Sequence, residues 1–308
     1  MAAAMHQPMS AEGRPAGPER LSPGRRLFVA LQYALPQHAL SGLMFRLTRL
    51  RLGPLTGLAI RVFAQLFRVD LREAAEPAPR AYASFNAFFT RALREDARPM
   101  AAAPDALLSP VDGTVSQAGR VDDERLIQAK GRGYGLGELL GGDEDLTLAF
   151  RNGSFATLYL SPRDYHRIHM PVDGRLRRMI HVPGRLFSVN PTTVAGVPRL
   201  FARNERVICL FETAFGPVAV ILVGAIFVGS IETAWAGRIT PPRGHRISNA
   251  EYGDEGPVLA RGAELGRFNM GSTVILLIPS DSVRWSPDLA PEATVHCRSR
   301  IGTITAAC

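Results

Sequence analysis

Lysine is almost missing from this sequence. Of its 36 lysines and arginines only Lys130 is a lysine. A chemistry that hangs a cofactor on lysine therefore has one candidate. It lies in Ala129-Lys-Gly-Arg-Gly-Tyr134, a glycine-rich stretch that suits a structural or loop role. Cysteine is equally scarce: Cys209, Cys297 and Cys308 have no paired spacing. That argues against a disulfide framework and a zinc site, and for a reducing compartment. The first twenty residues lack the apolar stretch of a secretory signal, and their Pro/Gly/Ala content predicts a disordered tail over 1–22. One uncharged run, Ala214 to Ile231, raises the question of a membrane span. Gly216, Pro217, Gly224 and Gly229 cut that run into strand lengths, so it predicts two buried strands rather than a membrane span.

What is present is positive charge. A net +8 carried by arginine implies an acidic partner, either nucleic acid or an anionic membrane surface. Aromatics are only 7% of the chain. With no aromatic interleaving and no recognisable module, nucleic acid is the weaker choice.

From Pro23 to about Phe67 the pattern is helical. Leu40, Leu43, Met44, Leu47 and Leu50 recur at intervals of three and four, and so do Leu55, Leu58, Val62, Phe63, Leu66 and Phe67. Pro36 and Gly53-Pro54 divide the run into two or three helices. Arg46, Arg49, Arg51, Arg61 and Arg68 flank the apolar stripes. The block reads either as helices on a core or as an in-plane membrane anchor. Its N-terminal position, its basicity and the Pro/Ala/Glu linker from Glu73 to Arg80 favour the anchor. A short helix over Phe85 to Glu95 follows, with Ser84 as its cap. From Leu107 onward, short Val/Ile/Leu runs alternate with Gly, Pro and Asp-Gly. The fold class is α+β: N-terminal amphipathic helices, then a mainly antiparallel β-sheet core.

Three stretches could carry chemistry. Ser109-Pro-Val-Asp112-Gly113-Thr-Val reads as an Asp-Gly hairpin turn, as does the second Pro-Val-Asp-Gly at 171–174. Similar hairpins occur in biotin or lipoyl carriers, but the carrier lysine is not there. Asp164-Tyr-His166-Arg-Ile-His169-Met-Pro171 places two histidines three apart in an extended or loop setting. With no third ligand cluster nearby, acid–base work is a better reading than metal. Phe268-Asn-Met-Gly271-Ser272-Thr-Val precedes a strand. A glycine before a serine leaves no Cβ in the way and permits unusual backbone angles. The serine hydroxyl can then attack the carbonyl of Gly271. An N→O acyl shift followed by β-elimination cuts the chain and leaves a pyruvoyl group.

Eight ordered segments carry a family resemblance. They are LQYALPQHALSGLM (31–44), FNAFFTRAL (85–93), SPVDGTV (109–115), DYHRIHMP (164–171), LFSVNP (186–191), LFARNERV (200–207), FVGSIETAWAG (227–237) and GRFNMGSTVI (266–275). From about Arg26 to Pro279 the chain resembles the bacterial phosphatidylserine decarboxylases. One departure stands at the processing site, where Met270 replaces the usual leucine, a change of similar volume.

The resemblance implies a proenzyme cut between Gly271 and Ser272. Asp112 and His169 would activate Ser272, and His166 would serve decarboxylation. The cofactor implied is a covalent pyruvoyl group made from Ser272, which forms a Schiff base with phosphatidylserine, with no metal and no PLP. Residues 1–271 and 272–308 would remain associated as large and small subunits, within a homodimer. The domains implied are membrane-associating helices over 23–72 and a catalytic unit over 81–308, peripheral on the cytoplasmic side of the cell membrane. The competing readings are a serine hydrolase using Asp112, His169 and Ser272, though no Gly-x-Ser-x-Gly elbow surrounds Ser272, and a non-enzymatic membrane-binding module.

Overall fold

The computed structural model describes residues 21–305 apart from 130–131, 228–229, 242–243 and 270. Most of the expected tail, together with Lys130, Gly229, Met270 and Cys308, therefore lies outside the described residues.

Three helices open the described chain, as the stripes and the two proline signals predict: α1 (Pro23–Ala34), α2 (Gln37–Leu47) and α3 (Pro54–Phe67). Pro23 and Pro54 sit in the first turns of α1 and α3, where a missing N–H costs nothing. In α1 and α2 the amphipathicity is inverted, whereas α3 buries a mixed face. The buried residues of α2 are Gln37 and Ser41, and those of α3 are Thr56, Gly57, Ile60 and Ala64. The leucines face outward, with Leu55 at 62% and Leu66 at 73% exposure.

The helices are nevertheless seated on the core. Gln37 Oε1 accepts from Leu186 N (2.9 Å), Gln32 Oε1 from Ser188 N (3.1 Å) and Ser41 Oγ from Phe227 N (3.1 Å). The fourth helix, α4, spans only Phe85–Phe89, shorter than expected. Ser84 caps it by accepting from Ala87 N at 3.2 Å. Beyond Thr90 the chain turns extended, and Leu93 bridges Ala74 across the linker.

Nine strands form the main sheet, all pairings antiparallel. At its centre runs Ser272–Ile278, between Gly216–Val223 and Ser154–Leu160. All seven of its residues are buried, a continuous apolar run after Thr273 that suits a strand covered on both faces. A four-stranded sheet joins Gly237–Thr240, Ile231–Thr233, Glu264–Phe268 and Arg167–His169, and a three-stranded one holds Ala106–Leu108 against the C-terminal segment.

Two local expectations need correction. The uncharged run from Ala214 holds one full strand, Gly216–Val223, and reaches only the first residue of the next, Ile231. Between them Gly224 is held by side-chain and backbone bonds to Asn204 and Glu205, which ends the strand. Neither Asp-Gly is a hairpin. Ala106–Leu108 pairs with the C-terminal strand, whereas Gly113–Arg120 pairs with Ser154–Leu160 and Thr294–Val295, so Asp112-Gly113 links two sheets. Gly113 is required because a Cβ there would lie 2.4 Å from Tyr159 O. The second copy likewise joins strands that pair elsewhere, Arg167–His169 and Gly174–Val182.

Candidate active site

Two segments cross between the four-stranded sheet and the main sheet at one place. After Phe268 the chain leaves the smaller sheet and enters the main one at Ser272, which lies opposite Leu160. From Leu160 the other segment passes through 161–166 into Arg167–His169. Phe268 N donates to His166 O at 3.0 Å and ties the two crossings together. The sheet switch thus brings His166 and Ser272 to the same junction.

Ser272 is fully buried, and its Oγ has no hydrogen-bond partner among the described residues. A buried hydroxyl left unsatisfied costs about 1–3 kcal/mol, a cost that fits a group kept free for chemistry. A Cβ at Gly271 would meet only Leu160 O, at 3.8 Å.

His166 is the second orphan. Its Nδ1 faces Asp164 O at 2.8 Å, and a carbonyl only accepts, so Nδ1 carries the proton and Nε2 keeps its lone pair. That Nε2 is buried without a partner among the described residues. Burial holds the imidazole down to about 3, with the Arg91 cation acting in the same sense against the bond to Asp164 O. The ring lies against Phe89, with centroids 4.2 Å apart.

His169 is engaged on both nitrogens. Nδ1 donates to Gly262 O (2.8 Å), which leaves Nε2 to accept from Tyr165 Oη (2.9 Å). Asp112 accepts from Arg98 Nε (2.9 Å), Arg98 Nη2 (2.6 Å) and Cys297 N (2.7 Å). The two expected relay residues are brought close, since His169 N donates to Pro110 O. Among the described residues, however, no hydrogen bond joins Asp112 to His169 or His169 to Ser272.

Sequence reasoning missed Arg98, Tyr165, Gly262 and Cys297 as their partners. Nothing local marks Arg98 within an arginine-rich stretch. Tyr165 carries a weak signal, four residues before His169.

Beside Gly271 opens a cavity of about 500 Å³. Its walls include Phe28 and Gln32 of α1, Leu35 just after it, Phe63 and Phe67 of α3, and Phe89, so the N-terminal helices close one side of it. Of the three phenylalanines near 85–89, Phe89 lines the cavity and Phe88 is core. No charged side chain lines the cavity among the described residues.

An α+β core with a glycine-preceded, buried and unpartnered serine at a sheet crossing defines a self-processing or serine-nucleophile class of enzyme. The family model for phosphatidylserine decarboxylase matches residues 85–303, and a second model, described as PSD, matches 27–68. The chain is 57% identical over 277 residues to a phosphatidylserine decarboxylase proenzyme of Nitrosococcus oceani, covering 90% of each. It is 58% identical over 252 residues to that of Alkalilimnicola ehrlichii, covering 82% of this chain and 88% of the relative. To that of Methylococcus capsulatus it is 52% identical over 278 residues, covering 90% and 96%. The chain belongs to the phosphatidylserine decarboxylase family, the family that the eight segments resemble.

Proposed function

We propose that this chain is a proenzyme that cuts itself at Gly271-Ser272 and then decarboxylates phosphatidylserine to phosphatidylethanolamine and CO₂. One observation carries the reading: the free, buried hydroxyl of Ser272, placed directly after Gly271 and beside the apolar cavity. In the cut, Ser272 Oγ bonds to the Gly271 carbonyl carbon and the amide becomes an ester. Elimination then releases residues 1–271 with a carboxylate end. Water and loss of ammonia convert the new end of 272–308 into a pyruvoyl group.

The residues present fit that group, because its carbon frame is that of Ser272 in a water-poor setting. Once formed, it supplies a ketone that binds the substrate amine and draws off the electrons released with CO₂. Asp112 and His169 serve the cut, with His169 Nε2 exchanging Tyr165 for the Ser272 hydroxyl. His166 serves the decarboxylation, its free Nε2 able to hold or pass a proton. A second assignment also has an observation behind it: His166 is the histidine whose lone pair is already free, which would make it the base of the cut.

The substrate reaches the site from a bilayer. Among the described residues no helix is long and apolar enough to cross a membrane, but α1 to α3 expose Leu27, Leu31, Leu43, Leu47, Leu58 and Leu66 beside arginines. That face suits an anionic leaflet, and hence a peripheral position on the cytoplasmic side of the cell membrane. Homodimerisation belongs to the same reading and is tested by sedimentation.

The mass of the purified protein under denaturing conditions tests the main claim. Two fragments, the smaller beginning at a blocked residue 272 and trapped by borohydride, support it; one uncut chain in active protein overturns it. Ser272→Ala should stay whole and inactive. His169→Ala staying whole, with His166→Ala cut but inactive, supports the division of labour. The opposite pattern moves the base role to His166.

A further inference from the structure

The cavity beside Gly271 holds no cation among its described lining residues, yet a phospholipid brings an anionic phosphodiester into it. Burying an unpaired arginine there would carry a large desolvation penalty. Neutral donors avoid it, and a hydrogen bond to a charged acceptor is roughly twice as strong as one between neutral groups. Four lining side chains can donate: Gln32, Tyr159, Ser188 and Asn190.

Two of these are oriented by bonds that use only their oxygens. Gln32, 4% exposed, has Oε1 held by Ser188 N at 3.1 Å. Asn190 has Oδ1 held by Thr193 N at 3.0 Å, as the cap of the short helix Pro191–Gly196. With both amide oxygens committed to backbone, the nitrogens remain as donors. Neither Nε2 of Gln32 nor Nδ2 of Asn190 has a hydrogen-bond partner among the described residues. Gln32 also sits on the face of α1 that carries Phe28, where an apolar residue would serve packing better.

We propose that Gln32 and Asn190 bind the phosphodiester of the substrate phospholipid through their side-chain nitrogens. The assignment rests on the function proposed above and adds a headgroup subsite to it. The same glutamine fastens α1 to the 186–188 segment, so the helix that meets the bilayer also carries part of the headgroup site.

The test uses substitutions that keep the structural bond and reverse the ligand-facing atom. Gln32→Glu and Asn190→Asp retain the oxygen needed by Ser188 N and Thr193 N but present a carboxylate to the phosphate. On short-chain phosphatidylserine each should raise KM at least about tenfold, leave kcat within about twofold and leave self-cleavage unchanged, while the carboxylate buried at position 32 lowers Tm. Asn190→Ser, which keeps a capping oxygen and loses the amide donor, should raise KM by less. A phosphate-free O-alkyl serine should be turned over by wild type and variants alike. Unchanged KM in fully cleaved variants, or equal losses on both substrates, overturns the subsite. A wild-type chain that neither cleaves nor decarboxylates overturns the underlying function instead.

Discussion

Arg98 grips Asp112 through two nitrogens, Nε at 2.9 Å and Nη2 at 2.6 Å, and Nη2 also reaches Glu73 at 2.8 Å. The guanidinium thus spans from the linker behind the N-terminal helices to the carboxylate expected to support self-cleavage. Both Arg98 and Asp112 are largely withdrawn from solvent, with side-chain exposures of 12% and 7%, so the pair differs from the many surface ion pairs of this chain.

Arg98→Gln should leave Asp112 with only the Cys297 amide as donor. Removing one partner of a buried pair costs about 3 kcal/mol, measurable as a lower urea midpoint. Self-cleavage should slow as well. Adding Asp112→Asn should recover part of the stability, and a double-mutant cycle would give the coupling. Strictly additive effects would mean that the pair contributes nothing.

Gly271→Ala separates folding from chemistry. The added methyl has room, so stability should hold or rise by up to about 1 kcal/mol. The same methyl stands beside the carbonyl that Ser272 attacks, so the uncut fraction should rise sharply over time. Cleavage at the wild-type rate would remove the steric reason for glycine.

His166 makes stability depend on pH. Its folded pKa, about 3, lies below the ordinary 6.5. The unfolded chain therefore takes up a proton that the folded chain refuses. This contribution is fully present above about pH 6.5 and is lost as pH falls toward 3, at up to about 1.4 kcal/mol per pH unit. Burial shifts His169 the same way. In urea unfolding between pH 7 and 4, His166→Phe should show a shallower loss than wild type. Identical slopes would mean that His166 is charged in the fold.

Leu58→Glu with Leu66→Glu tests the outward face of α3. Both leucines are more than half exposed, so the fold should be indifferent. If that face enters lipid, each change removes about 2 kcal/mol of transfer energy. Sedimentation with anionic vesicles should then show binding by the double variant weakened by roughly a thousandfold. Unchanged binding would place the membrane contact elsewhere.

Local order was legible in the sequence wherever a single segment decided it. The leucine stripes and two prolines marked α1 to α3, Ser84 marked a cap, and the flanks of 164–171 marked an extended setting. Which face of the helices turns inward was not legible, because the partners of Gln32 and Gln37 lie some 150 residues further on. The Asp-Gly pairs misled for a similar reason. A hairpin signal is local, whereas Gly113 answers to the approach of Tyr159 O. For the site, resemblance singled out Ser272, His166, His169 and Asp112, while Arg98 and Tyr165 emerge only when distant segments meet.

The strand Ser272–Ile278 lies between two partners in the middle of the main sheet. A cut at its first residue would end one polypeptide and begin another while leaving the ladder from Thr273 onward in place. It would, however, change the kind of equilibrium that governs stability. The uncut protomer unfolds as one polypeptide, so this junction adds no concentration dependence to its midpoint. The mature pair would come apart as two, with a midpoint that rises with protein concentration, and dilution would become a denaturant.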